Sequence, residues 1–375
     1  MTRTRLQNAF PILLAAALFG ASAPLSKMLL QDIGPVMLAG LLYIGCGFGV
    51  AVLRAVRDAS STRRPGTARR GAAEAYLGRS DLPWLVGSLF LAGLWAPMML
   101  MYGLKATPAS TAALLLNFET VATTLIAAAA FGEAVGRRVW GAVALVTVAG
   151  ITLSLQPGGP GLVLSTGAVL VIGAAFLWGT ENNLTRAISS KDPMLITSVK
   201  GICGGGFAVA LSVALGEGAP GPWVMCAALA TGFVCYGLSM VLFLSSLREL
   251  GAARTSAYFA SAPFAGAIAA FVVLMEVPAI QFLVALPLMV VGAVLLATEA
   301  HSHAHRHEWM RHEHRHVHDP HHRHRHGPGH DNRAGVKGAH SHMHVHKAMS
   351  HSHPHEPDVH HRHGHGHSHR DDRAD

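Results

Sequence analysis

The chain has 375 residues, of which 51% are hydrophobic and only 13% charged, about half the charged share of a typical soluble domain. That balance excludes an ordinary soluble multidomain protein. A net charge of +8 and a pI near 9.7 would suit a nucleic-acid binder. The arginines, however, sit in short gaps between apolar segments, an orientation pattern of membrane proteins, so nucleic acid is set aside.

At the N-terminus, Arg3, Arg5, the apolar run from Phe10 to Gly20 and Ala21-Ser22-Ala23 imitate a signal peptide with a small-residue cleavage site. The segment has an internal counterpart later in the chain and is read as a retained first span. A bilayer core of about 30 Å needs roughly 20 helical residues. Ten segments qualify, approximately 10–30, 35–56, 83–104, 108–131, 138–156, 162–185, 193–215, 223–247, 253–275 and 279–299. Turn chemistry separates several of them, as at Gly34-Pro35, Pro157-Gly158-Gly159-Pro160 and Gly218-Ala219-Pro220-Gly221-Pro222.

Alternating the ten spans puts Arg3, Arg5, Arg54, Arg57, Arg63, Arg64, Arg69, Arg70 and Arg79 on one side. Arg137, Arg138, Arg186, Lys191, Arg248 and Arg254 join them, while the other side receives Lys105, with Lys27 near the outer end of helix 1. The positive-inside bias therefore predicts an inner (plasma) membrane protein with both termini cytoplasmic. Cys46, Cys203, Cys226 and Cys235 all fall inside apolar segments without paired spacing, which argues against a disulfide framework or a cysteine zinc site.

Two halves of the apolar body resemble each other. Leu18-Phe19-Gly20 through Lys27 aligns with Leu177-Trp178-Gly179 through Arg186; later, Leu104-Lys105 aligns with Leu247-Arg248 and Glu133 with Glu276. Five helices per half is odd, so the second half must be inverted, the usual device of alternating access. Residues 1–156 form the first repeat, 157–300 the second and 301–375 a tail.

With Leu18-Phe19-Gly20-Ala21-Ser22, Leu177-Trp178-Gly179 and the helix endings Gly132-Glu133 and Met275-Glu276, residues 10–299 resemble the drug/metabolite transporter superfamily, in its ten-helix form with paired EamA domains. The resemblance implies secondary transport, usually export of small metabolites, through a central cavity between the halves. Helix 4 departs from the pattern: Thr120, beside Glu119, stands where the second half has Pro263.

Glu119 lies near the middle of helix 4, two residues after Asn117. A carboxylate there costs several kcal/mol unless it is paired or faces water, so it is a candidate cation ligand or proton carrier. Glu181, Asn182 and Asn183 occupy the inner third of helix 6, and neighbours about 100° apart cannot share one face. Lys200 in helix 7 is placed to neutralise Glu181. Lys27 is read as snorkelling. Trp95, Met98 and Met101, with Met99 alongside, form a stripe on helix 3 that suits packing better than Cu(I) binding. Tyr43, Trp178, Tyr236 and Tyr258 are candidate cavity residues. Gly45-Cys46-Gly47-Phe48-Gly49 permits close helix packing, within one chain or in a homodimer.

All 26 histidines lie between His301 and His369. The tail has almost no apolar surface and is expected to be disordered. Its density of imidazoles predicts binding of Ni, Zn, Co or Cu. The candidate ligands are His301, His303, His305, His307, His312, His314, His316, His318, His322, His324 and His326. Further along come His340, His342, His344, His346, His351, His353, His355, His361, His363, His365, His367 and His369. No nucleophile–base constellation or nucleotide loop is present, so an enzyme is not expected, and no cofactor is required.

The fold class expected is an all-α membrane protein, ten transmembrane helices as two inverted five-helix repeats plus the tail. Its surroundings are the lipid bilayer and a small solute or metal ion. The first functional expectation is efflux of Ni, Co or Zn by proton antiport, with the tail gathering cytosolic ions near the inner mouth. The alternatives are export of a small organic metabolite under a metal- or pH-responsive tail, and a membrane-tethered metal buffer or sensor.

Overall fold

The computed structural model describes residues 2–62, 77–131, 135–155, 164–188 and 191–297, with the backbone of 302–307, 310–316, 340–346 and 349–354. Glu133, His301, His318, His322, His324, His326, His355, His361, His363, His365, His367 and His369 lie outside the described residues. α1 (Thr2–Leu29) and α2 (Pro35–Thr62) are continuous. α3 joins Leu82–Ser88, a π-helical stretch Leu89–Trp95 and Ala96–Ala106. α4 joins Ala109–Leu115 to Phe118–Phe131. α5 is Arg137–Ser154, α6 Thr166–Thr185 and α7 Pro193–Ala214.

The second half repeats these irregularities. α8 runs through Pro222–Thr231, a π-helical stretch Gly232–Leu238 and Ser239–Leu250, as α3 does. α9 breaks between Ala252–Phe259 and Ala262–Val273, as α4 does. α10 is Ile280–Ala297. Seven of these helices are long and apolar enough to cross a membrane by length and composition, and α10 contributes a shorter apolar helix, Ile280–Leu296.

The packing obeys the inverted repeat. α2 lies chiefly on α7 and α5 on α10; α1 contacts α9 and α8, and its counterpart α6 contacts α4 and α3. Each pairing maps onto itself or onto another when the halves are exchanged. The glycine of each repeated tripeptide sits at one of these crossings, where the backbones come close. A Cβ on Gly20 would lie 2.4 Å from the Ala262 carbonyl oxygen, and one on Gly179 would lie 2.9 Å from that of Glu119. Ala262 and Glu119 are themselves aligned positions, so the two contacts are one contact made twice. The run at Gly45 to Gly49 is used inside the chain, Gly45 against Leu229, Gly47 against Gly201 and Gly49 against Phe233.

The break in α4 forms without a proline. The side-chain amide of Asn117 donates to the Leu114 carbonyl at 2.9 Å, beside the Asn117 backbone N–H at 3.1 Å, and so reinforces the turn at the break. In α9 the Ser261 hydroxyl does the same for Tyr258 at 2.7 Å, next to Pro263.

In the tail, the four segments whose backbone is described pair as antiparallel strands. β1 (Ser302–His307) pairs antiparallel with β4 (Met349–Pro354), and β2 (Met310–His316) with β3 (His340–His346). Alternation with period two suits a strand. A two-stranded ribbon is marginal in water on its own.

Replacing Gly20 or Gly179 by Val should cost about 1–3 kcal/mol through overpacking, read as a lowered Tm in detergent. Gly206→Ala, where an added Cβ meets nothing within 4 Å, should leave Tm unchanged.

Candidate transport site

Polar side chains inside the apolar body gather on α6, whose residues fan out to different neighbours. Glu181 is 6% exposed and faces α3 and α7. Its Oε1 accepts from the Ser88 hydroxyl at 2.5 Å and from the Lys200 ammonium at 3.1 Å. One helical step on, the Asn182 amide donates to Glu119 Oε1 at 2.9 Å and to the Thr123 hydroxyl at 3.3 Å. Asn183 is buried and donates to the carbonyls of Thr123 and Gly179, tying α6 to α4. Helix geometry separates neighbours by about 100°, so adjacent residues on one helix serve two polar clusters.

Glu119, Glu181, Asn182 and Lys200 therefore come together around α6. Asn117 does not join them. Its amide serves the helix break and approaches Met289 on α10. Aromatic rings from four helices form a chain that starts at Trp178, on the same helix as Glu181. Trp178, one turn before it, donates its indole N–H to the Tyr43 hydroxyl at 3.3 Å. Tyr43 lies 6.2 Å from Tyr236, and Tyr236 5.8 Å from Phe19, between ring centroids. All four rings keep some accessible surface. Tyr258 is 41% exposed and stands apart from this group. Met98 and Met101 are buried while Trp95 is half exposed, so the stripe on α3 is packing.

The two ends of the bundle are held differently. At one end Arg54 pairs with Asp192 at 2.8 Å and Lys191 with Asp81 at 3.2 Å. At the other, carboxylates from the second repeat cap helices of the first. Glu217 accepts from the backbone N–H of Val36 at 3.2 Å and of Met37 at 2.7 Å, closing the start of α2. Glu276 accepts from the N–H of Ala109 at 2.7 Å and of Ser110 at 2.9 Å, and from the Ser110 hydroxyl at 2.6 Å, closing the start of α4. Lys27 donates to the carbonyls of Leu104 and Thr107, at the end of α3. It is thus a clamp rather than a snorkelling side chain. Carboxylates suit helix N-termini and ammonium groups C-termini.

Sequence reasoning missed this clasp. A signal was present: α2 opens at Gly34-Pro35 and α4 at Thr107-Pro108, and neither start has an Asp or Asn of its own to cap it.

A sequence profile described as the EamA-like transporter family matches residues 8–156 and 165–298. An uncharacterized transporter of Methanothermobacter thermautotrophicus is 30% identical over 278 residues, covering 72% of this chain and 80% of that protein. A solved structure, described only as a crystal structure of a protein, superposes with a TM-score of 0.53 at 18% identity, over 76% of this chain and 94% of the other.

Removing Lys200 leaves Glu181 buried without its counter-charge, so Lys200→Met should lose roughly 3–5 kcal/mol by thermal unfolding in detergent. The double variant Glu181→Gln/Lys200→Met should lose markedly less. At the capped end, a cysteine at Thr107, which is 3% exposed, should react several-fold faster with a maleimide once Glu276 is changed to Gln. That comparison uses a background with the native cysteines replaced by serine.

Proposed function

The chain belongs to the EamA-like transporter family, and on that premise we propose that it exports a small zwitterionic organic solute from the cytoplasm across the inner membrane. The observation that carries this reading is the Glu181–Lys200 pair at 3.1 Å beside Trp178 and Tyr43. Charges in the membrane need partners. A solute bearing one ammonium and one carboxylate can enter by exchanging one ion pair for two, leaving no charge unpaired. The adjoining rings offer an apolar surface to the rest of it.

Glu119 is the coupling candidate. Among the described contacts one of its oxygens is engaged, by Asn182, and the other is available to a proton. The arginine-rich end of the bundle faces the cytoplasm by charge bias, so the end closed by Glu217, Glu276 and Lys27 faces outward. Export then requires that closure to open after loading from the inside, a movement of one repeat against the other.

Efflux of Ni, Co or Zn is the second reading, favoured by the histidine tail at the cytoplasmic end. Among the described side chains, which belong to the membrane body, no three His, Cys, Asp or Glu converge as a metal site would need, and the two membrane carboxylates bond to amide, hydroxyl and ammonium groups.

The test is made in an exporter-deficient bacterium fed dipeptides and carrying intact protein, Glu119→Gln, Lys200→Met or empty vector. Amino acids released to the medium and cell-associated Ni, Co, Zn and Cu are measured by mass spectrometry. Intact protein should raise at least one released amino acid several-fold, with both variants near vector level and metals unchanged. A fall in one metal without amino-acid release would replace the first reading by the second.

A further inference from the structure

The strand register of the tail holds a regularity that its composition alone does not require. In the β1–β4 ribbon, His303 stands opposite His353 and His305 opposite His351. In the β2–β3 ribbon, His312 stands opposite His344, His314 opposite His342 and His316 opposite His340. Each strand alternates histidine with other residues, so a slip of one position would set every one of these histidines against a non-histidine. Both ribbons adopt the in-phase register.

Apolar burial does not select that register. The intervening pairs are Ala304 with Ser352 and Arg306 with Ser350 in one ribbon. In the other they are Arg311 with Val345, Glu313 with Met343 and Arg315 with Ser341. Neither ribbon has a continuous apolar face that packing could bury. What the register does create is one face per ribbon on which histidines from two strands lie at directly opposed positions, with Cα atoms about 4.5–5.5 Å apart.

We propose that each ribbon is a binding site for a divalent transition metal, Ni²⁺ or Zn²⁺, and that the metal closes the ribbon. In the first, the site is the register block in which His303 stands opposite His353 and His305 opposite His351, four histidine positions for one ion. The second offers the corresponding set around the opposed pairs of β2 and β3. Neutral imidazole is a good ligand for these ions. An isolated two-stranded ribbon is marginal in water, and an ion that binds only the paired form stabilises it by mass action. The tail is therefore a structure that forms on metal binding, whichever solute the membrane body carries.

The distinguishing property is coupling between strands. A tract that chelates locally, through His-x-His within one strand, retains its metal when the partner strand loses its histidines; a ribbon site does not. Full-length protein, purified in detergent without a polyhistidine tag, is followed by hydrogen–deuterium exchange with Ni²⁺ alone as the probe. Saturating Ni²⁺ should slow exchange about tenfold or more in peptides covering 302–307 and 349–354. In the His303→Ala/His305→Ala variant, the slowing in 349–354 should vanish, while 310–316 and 340–346 keep theirs. The proposal is overturned if 349–354 remains protected in that variant, or if Ni²⁺ protects neither ribbon in the intact protein. Transport is not part of the readout, so failure here is separate from failure of the export reading.

Discussion

Where α1 crosses α9, and again where α6 crosses α4, the backbones are too close for any side chain larger than hydrogen on the crossing glycine. In a bilayer, helices gain little from hiding apolar surface and associate largely through close packing. The crossings at Gly20 and Gly179, with those of α2 on α7 and α8 at Gly45 and Gly47, therefore bind the two repeats. The one at Gly179 also positions the polar centre. Gly179 lets α6 settle onto the Glu119 carbonyl, and that proximity brings Asn182 and Asn183 within reach of α4.

The repeat that organises the scaffold is broken in its chemistry. Glu119 is matched by Ala262 and Glu181 by Ser22, so the polar centre belongs mainly to one half. A symmetric arrangement would place four carboxylates in the membrane interior, each needing a partner. The single chain permits the scaffold to be twofold while the charge is placed once. Serine, lysine and asparagine from α3, α7 and α6 then suffice to accommodate both acids.

Helix number, the inverted repeat and the family resemblance were legible because each follows from apolar length or from residues recurring in order. Interior charges were legible too, since Glu119, Glu181 and Lys200 are conspicuous against an apolar background. The link between Glu181 and Lys200 follows from burial alone. Side chains that bond to distant backbone were not legible. Lys27 looks like any terminal lysine, and Asn117, two residues from Glu119, serves a helix break instead. Nothing local in the sequence tells Glu217 which of several helix starts it will cap, because the partner lies in the other repeat. The tail was half legible: its period of two is plain, but the register between strands far apart in sequence is not.

The closed end has a further property that follows from the kind of atoms it uses. Glu217 and Glu276 bind largely to main-chain N–H groups. Every amino acid except proline supplies such a group. Sequence drift at positions 36, 37 and 109 therefore leaves the lock intact, and at 110 removes only a hydroxyl. Its loss has to come from the charged groups themselves, Glu217, Glu276 and Lys27, or from Gly34, where an added Cβ would lie 2.3 Å from the Glu217 carboxyl carbon. The mutational fragility of the closed end is thereby concentrated in a few positions, Glu217 and Glu276 of the second repeat and Lys27 and Gly34 of the first, while the capped residues themselves need only keep a main-chain N–H and fit their buried places.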